Sequence, residues 1–116
     1  MAHCPSLPYT ISVFVIVESP LFTRLVYHYL SEDEYRKLQD ALMENPEAGD
    51  LIPASGGIRK LRWALTGRGK RGGLRIIYYV RTRSGVIWML TLYSKNVADD
   101  ISPHILRKIR QEMENA

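Results

Sequence analysis

The chain has 116 residues, 46% hydrophobic and 24% charged, a composition typical of one globular domain that buries its core without disulfides or metals. Its single cysteine, Cys4, excludes an intrachain disulfide and favours a reducing, cytoplasmic setting. Residues 1–50 hold three Lys/Arg and eight Asp/Glu. Residues 51–98 hold ten Lys/Arg and no Asp/Glu, and residues 99–116 hold three Lys/Arg and four Asp/Glu. The middle segment therefore has a net charge of +10, whereas the whole chain has a net charge of +4. The electrostatic field of such a segment attracts a polyanion, unless the segment is only a solvated basic face.

The first nine residues, MAHCPSLPY, contain two prolines and show no periodicity. They predict a flexible extension over residues 1–9 in front of a single domain over residues 10–116. The next segment, Thr10–Val17, is β-branched and continuously apolar, which predicts a strand buried on both faces. It is too short to span a bilayer and lacks signal-peptide flanks, so no membrane partner is expected.

Two helices are predicted after this strand. Ser19 followed by Pro20 is typical of an N-cap with proline at the first helical position. Ser31 and Glu34 form the S-x-x-E capping box that opens a second helix, and Pro46 lies just past its end. Residues 45–57, rich in Gly, Pro and Asp, are predicted to form a loop.

Three strands and a helix complete the pattern. The first strand, Ile58–Leu65, alternates, so that Lys60 and Arg62 share one face. A basic, glycine-rich loop follows at Thr66–Gly73, and Ser84-Gly85 predicts a hairpin between the strands Leu74–Arg81 and Val86–Tyr93. Ser102-Pro103 starts a C-terminal helix whose predicted apolar stripe is Ile105, Ile109 and Met113.

The order β-α-α-β-β-β-α predicts an α+β fold. We expect a small, mostly antiparallel sheet of about four strands, with two N-terminal helices and one C-terminal helix. The helices are expected to cover one face of this sheet and to leave the other partly open.

The sequence offers little for several common chemistries. It has no P-loop motif, and its histidines, His3, His28 and His104, are scattered without the spacing of zinc ligands. No acid lies between Leu51 and Ala98, so a two-carboxylate magnesium site would need ligands from the flanks. We therefore expect neither a metal nor a cofactor.

Cations and tyrosines remain, and they suit cleavage of RNA by its own 2′-hydroxyl. That reaction needs a base, an acid and positive charge on the phosphorane-like transition state, but no metal. Arginine clamps phosphate, tyrosine can stack on a base or donate a proton, and clustered cations can lower the pKa of a lysine enough to make it a base.

The run GGIRKLRWALTGRGKRGGLRIIYYV, with LTLYSKN after it and EDEYRKLQDALMENPEAGD before it, resembles the HigB branch of the RelE toxin superfamily. The resemblance covers roughly residues 11–112. It implies a RelE/HigB-like toxin domain that cleaves messenger RNA on the ribosome, and a HigA-like antitoxin with a helix-turn-helix domain as partner. Contact with operator DNA would then occur only through that antitoxin.

The resemblance also implies roles for individual residues. The basic pair on the second strand falls on Lys60 and Arg62, and the arginine before the apolar-tyrosine strand falls on Arg75. At Asn96 and near Ser102, some members carry an arginine and a tyrosine that this sequence lacks. The candidate catalytic residues are Arg75, Lys60, Arg62, Tyr93 and Lys95. The candidate RNA- or ribosome-binding residues are Arg59, Arg68, Lys70, Arg71 and Arg81.

Two other functions compete with an active nuclease. A domain of this fold that lacks part of the terminal motif could be a non-catalytic RNA- or ribosome-binding module. A weaker alternative is a corepressor that acts through the antitoxin, because no recognition-helix signature is present.

Overall fold

A computed structural model describes residues 14–64, 73–95 and 101–114 of the chain. The elements in chain order are β1 Val15–Glu18, α1 Pro20–Tyr29, α2 Glu32–Glu44, β2 Asp50–Leu51, β3 Ile58–Trp63, β4 Leu74–Arg81, β5 Val86–Ser94 and α3 Pro103–Glu114. None of the described helices is long and apolar enough to cross a membrane. The proposed extension over residues 1–9 lies outside the described residues.

The strands form one mixed sheet in the order β1-β5-β4-β3-β2. Strand β1 pairs in parallel with β5, and the remaining pairs are antiparallel. The predicted α+β class with two N-terminal helices and one C-terminal helix is confirmed. The sheet has five strands instead of about four, because Asp50–Leu51, predicted as loop, pairs with β3 at one edge.

The first strand occupies the opposite edge of the sheet. Its side chains Val15 and Val17 are 58% and 38% exposed, so the prediction of burial on both faces is wrong for these residues. An edge strand has a neighbour on one side only, and here that neighbour is β5. The apolar run predicted a strand correctly but did not determine its place in the sheet.

The predicted helix caps are confirmed. Ser19 Oγ accepts from Phe22 N at 2.9 Å and donates to Leu90 O at 2.7 Å, so one buried hydroxyl caps α1 and ties it to β5. Ser31 and Glu34 make both hydrogen bonds of the capping box at the start of α2. Each capping interaction of this kind typically stabilises a helix by about 1 kcal/mol.

Helices α1 and α2 pack on one face of the sheet. Their buried side chains, including Phe22, Val26, Leu38 and Leu42, meet Tyr78 and the other inward-facing residues of β4 and β5. This face holds the larger of the two hydrophobic clusters. Leu61 and Trp63 of β3, which alternate with Lys60 and Arg62, pack against it.

Helix α3 packs on the opposite face, so the expectation that helices cover only one face is wrong. Leu106 joins Ile58, Ile77 and Leu90 in a second cluster, with Ile109 and Met113 partly buried against it. Ile105, predicted as part of the apolar stripe, is 49% exposed. The inward position one residue later is Leu106, which is 1% exposed.

Stacked aromatic and cationic side chains hold the C-terminal half of α3 against β4 and β5. Tyr79 stacks on Trp88 with ring centroids 5.3 Å apart, and the Arg110 guanidinium lies 4.7 Å from the centre of the Tyr79 ring. Arg81 lies over Trp88 and forms an ion pair with Glu114. The C-terminal half of α3 thus lies beside Arg81 and Trp88. Its first turn, with Pro103, lies at the opposite end of this sheet face, near Lys60 and Arg62.

Candidate functional site

Arg62, Arg75 and Tyr93 form one row across three neighbouring antiparallel strands. Arg62 is the Cα partner of Arg75 across β3 and β4, and Arg75 is the Cα partner of Tyr93 across β4 and β5. Directly paired residues point to the same face of a sheet, with Cβ atoms about 5 Å apart. The register therefore brings together three residues that the sequence predicted as catalytic.

A second row lies two residues away on the same face. Lys60 precedes Arg62 by two positions on β3, and its partners are Ile77 on β4 and Asp50 on β2. The predicted pairing of Lys60 with Arg62 on one face is confirmed by this register. Asp50 was not among the predicted site residues, because its segment was predicted to be a loop.

Lys60 and Arg62 line a cleft of about 490 Å³ between the edge of the sheet and the start of α3. Among the described residues of the lining, Asp50 is the third charged one. The remaining walls are mostly apolar. They are formed by Leu51, Ile52, Pro53, Ile101 and Pro103. No pattern in the sequence indicated these wall residues, since they meet only through the pairing of β2 and the docking of α3.

Gly73 contacts both the end of β5 and the side chain of Arg75. The Lys95 amide donates to Gly73 O at 3.4 Å, and a Cβ built on Gly73 would lie 3.7 Å from Arg75 Nη1. The Arg75 guanidinium therefore extends beside Gly73, whose carbonyl accepts the hydrogen bond from Lys95. Lys95 itself is exposed and Arg75 is half-buried, so both side chains border the solvent at this end of the face.

The electrostatics of the row favour an anion. Arg62 and Arg75 are like charges in direct cross-strand pairing, an arrangement that is destabilising on its own. Within residues 14–64, 73–95 and 101–114, neither guanidinium has an acidic partner within 4.0 Å. A phosphate between them would relieve the repulsion and accept charge-assisted hydrogen bonds from both.

Tyr93 is more buried than its neighbours in the row. It is 6% exposed and belongs to the second cluster together with Ile77, Leu90 and Leu106. The Tyr93 ring thus packs under α3 while its backbone is paired with Arg75. Its burial rules out stacking of an RNA base on the Tyr93 ring in this conformation.

The predicted RNA-binding residues are not gathered in one place. Arg59 donates from Nη1 to Gly49 O at 2.7 Å and to Glu47 O at 3.3 Å, so its guanidinium is engaged by the segment before β2. Arg81 lies at the far end of β4, paired with Glu114. Arg68, Lys70 and Arg71 lie outside the described residues.

No family model matches the sequence. Among solved structures, the chain is similar to a double arginine-to-alanine mutant of the toxin RelE from E. coli in the free state, with a TM-score of 0.54. The similarity covers 86% of this chain and 98% of that chain, at 15% identity. The chain has a RelE-like fold. The RelE-like architecture expected from the sequence is confirmed, whereas the HigB branch and the residue roles remain predictions.

Proposed function

We propose that this protein is the toxin of a type II toxin–antitoxin system, of the HigB branch, and that it cleaves messenger RNA on the ribosome. The observation that carries the proposal is the direct pairing of Arg62 with Arg75 beside a cleft that Lys60 also lines. Three cations on one sheet face, two of them without a described acidic partner, form a site for a phosphodiester. The RelE-like fold supports the same assignment.

The chemistry follows from these groups. The RNA 2′-oxygen attacks the adjacent phosphorus and loses its proton to a base, and the 5′-oxygen leaves after it takes a proton from an acid. Products are a 2′,3′-cyclic phosphate and a 5′-hydroxyl. Arg62 and Arg75 stabilise the charge that develops on the phosphorane oxygens. Lys60, Tyr93 and Lys95 are the candidates for the two proton-transfer roles.

The ribosome supplies what this small site lacks. Single-stranded messenger RNA held in a fixed orientation lowers the entropic cost of aligning the 2′-oxygen with the phosphorus. The remaining basic residues, among them Arg68, Lys70 and Arg71 of the glycine-rich loop, bind ribosomal or messenger RNA backbone. The site of action is therefore the cytoplasm.

Purified protein incubated with programmed ribosomes and a defined messenger RNA tests the proposal. Discrete cuts with 2′,3′-cyclic phosphate ends, absent from naked RNA, are the expected result. Efficient cleavage of naked RNA would contradict the ribosome dependence, and products with 5′-phosphate and 3′-hydroxyl ends would contradict attack by the 2′-oxygen.

The partner is a HigA-like antitoxin with a helix-turn-helix domain that covers part of the basic face or blocks entry to the ribosome. Because residues 51–98 carry ten cations and no acid, the encounter with an acidic antitoxin segment is steered by charge. The association rate should therefore fall as the salt concentration rises. A rate that is equal at low and high salt would contradict this steering.

One observation favours a second function. The near-complete burial of Tyr93 removes a proton-transfer group from the accessible surface, which suits a non-catalytic module that only binds RNA or the ribosome. Such a module would bind ribosomes in a sedimentation assay and leave messenger RNA intact in the same reaction.

A further inference from the structure

Asp50 is an acid in a cleft that is otherwise suited to an anion. Among the described residues that line the cleft, the other two charged ones, Lys60 and Arg62, are cations. Asp50 is exposed, and its side chain makes no ion pair and no hydrogen bond within the part of the chain that the structure describes. A carboxylate repels phosphate, so in an RNA site it opposes binding unless it contacts another part of the nucleotide.

The backbone that leads to Asp50 is fixed from several sides. The Gly49 amide donates to Tyr78 Oη at 2.9 Å, and the Gly49 carbonyl accepts from Arg59 Nη1 at 2.7 Å. Gly49 is buried, and a Cβ added there would lie 3.0 Å from the Lys60 backbone. Asp50 then pairs with Lys60 in the ladder between β2 and β3. The Asp50 carboxylate is therefore carried on a rigid support.

The apolar walls beside Asp50 suit the flat ring of a base. Ile52 and Pro53 follow Asp50 in the chain, and Ile101 and Pro103 close the cleft from the side of α3. A volume of about 490 Å³ is within the range of small-ligand pockets and accommodates one nucleotide. A base against these walls would have its phosphate near Lys60 and Arg62 and its polar edge near Asp50.

We infer that Asp50 selects the base at this site and that the base it selects is guanine; this rests on the proposed function. The guanine ring N1–H and the neighbouring 2-amino group both donate, and the two oxygens of a carboxylate accept them side by side. Adenine and cytosine each present one amino group beside an unprotonated ring nitrogen, which repels the second oxygen. Uracil presents two carbonyl oxygens around its only donor.

The test compares wild-type protein with Asp50→Asn, and with Asp40→Asn as a matched control on the exposed side of α2, outside the cleft. Cut positions in a mixed messenger RNA population are mapped on ribosomes. Binding of short labelled oligouridines that carry one guanosine or one adenosine is measured in parallel by fluorescence anisotropy, which requires no cleavage.

Wild type and Asp40→Asn should enrich guanosine at one fixed position beside the cut and bind the guanosine oligonucleotide about tenfold more tightly than the adenosine one. Asp50→Asn presents one acceptor and one donor, so both preferences should move from guanosine toward adenosine. Preferences equal in all three proteins would overturn the base selection. If wild type cuts nothing but still prefers the guanosine oligonucleotide, the nuclease fails and the selection of guanine stands.

Discussion

Arg62 and Arg75 are Cα partners on neighbouring antiparallel strands, and neither has an acidic partner among the described residues. Two like charges in direct cross-strand pairing reduce the stability of the sheet. A bound anion between the two guanidinium groups would offset their repulsion. The register of β3 and β4 therefore supports the proposed phosphate site.

Replacing one member of this pair should stabilise the protein while it weakens the site. In Arg62→Gln, we expect the free energy of unfolding to rise by about 0.5 kcal/mol at low salt, because the repulsion with Arg75 is removed. The gain should shrink at high salt, where charges at the surface are screened. Urea denaturation at two salt concentrations measures this. Arg83→Gln, in the exposed turn between β4 and β5, is the control. A lower stability of Arg62→Gln at low salt would show that the pair is not repulsive.

Gly49 should tolerate no larger side chain. A Cβ there would lie 3.0 Å from both the Lys60 backbone and the Tyr78 ring, so Gly49→Ala forces a shift of β2 away from β3. We expect a loss of about 1–3 kcal/mol in the free energy of unfolding. At Gly73 the same substitution meets only an ordinary contact at 3.7 Å, so Gly73→Ala is the matched control. Thermal or urea unfolding that is equal for the two variants would contradict the close packing at Gly49.

Tyr35 should make stability depend on alkaline pH. Its hydroxyl donates to Glu18 Oε2 at 2.5 Å, and burial, followed by this bond to Glu18, raises the pKa of Tyr35 above its ordinary value of 10.0. The folded state thus favours the neutral phenol. The contribution is complete below pH 10.0 and is lost as pH rises above that value toward the raised pKa.

Urea unfolding between about pH 8 and pH 11 tests this titration. The wild type should lose more stability over this interval than Tyr35→Phe, in which the group cannot ionise. Tyr29→Phe, which removes the hydroxyl of a half-buried ring in contact with His28, is the control and should follow the wild type. Parallel pH curves for wild type and Tyr35→Phe would contradict the raised pKa.

Local chemistry in the sequence predicted a large part of the fold. The caps at Ser19 and Ser31 and the bounds of β4 were predicted as the structure has them, because each depends on neighbours close in sequence. The shared face of Lys60 and Arg62 follows from the two-residue period of a strand. These local rules were sufficient to align the basic residues of β3.

Features that depend on distant contacts were missed. The strand at Asp50 forms because Tyr78 and Arg59 hold Gly49 against β3, and none of these contacts is visible as a pattern of residues. The exposure of Val15 depends on strand order, which an apolar run does not specify. Arg59 is the residue before Lys60 on the same strand. The two-residue period of a strand therefore already predicted that Arg59 points to the face opposite the candidate site.

Arg75 is the residue on which the proposed function depends most directly, since it lies between Arg62 and Tyr93 in the row. Wild type, Arg75→Ala and the control Arg83→Ala would each be incubated with programmed ribosomes and one messenger RNA, and the cleavage rates measured by primer extension. We expect wild type and Arg83→Ala to cut at the same rate and Arg75→Ala to be slower by about a hundredfold or more, with its ribosome binding retained. Equal cleavage by Arg75→Ala and wild type would contradict the assignment of this sheet face as the active site.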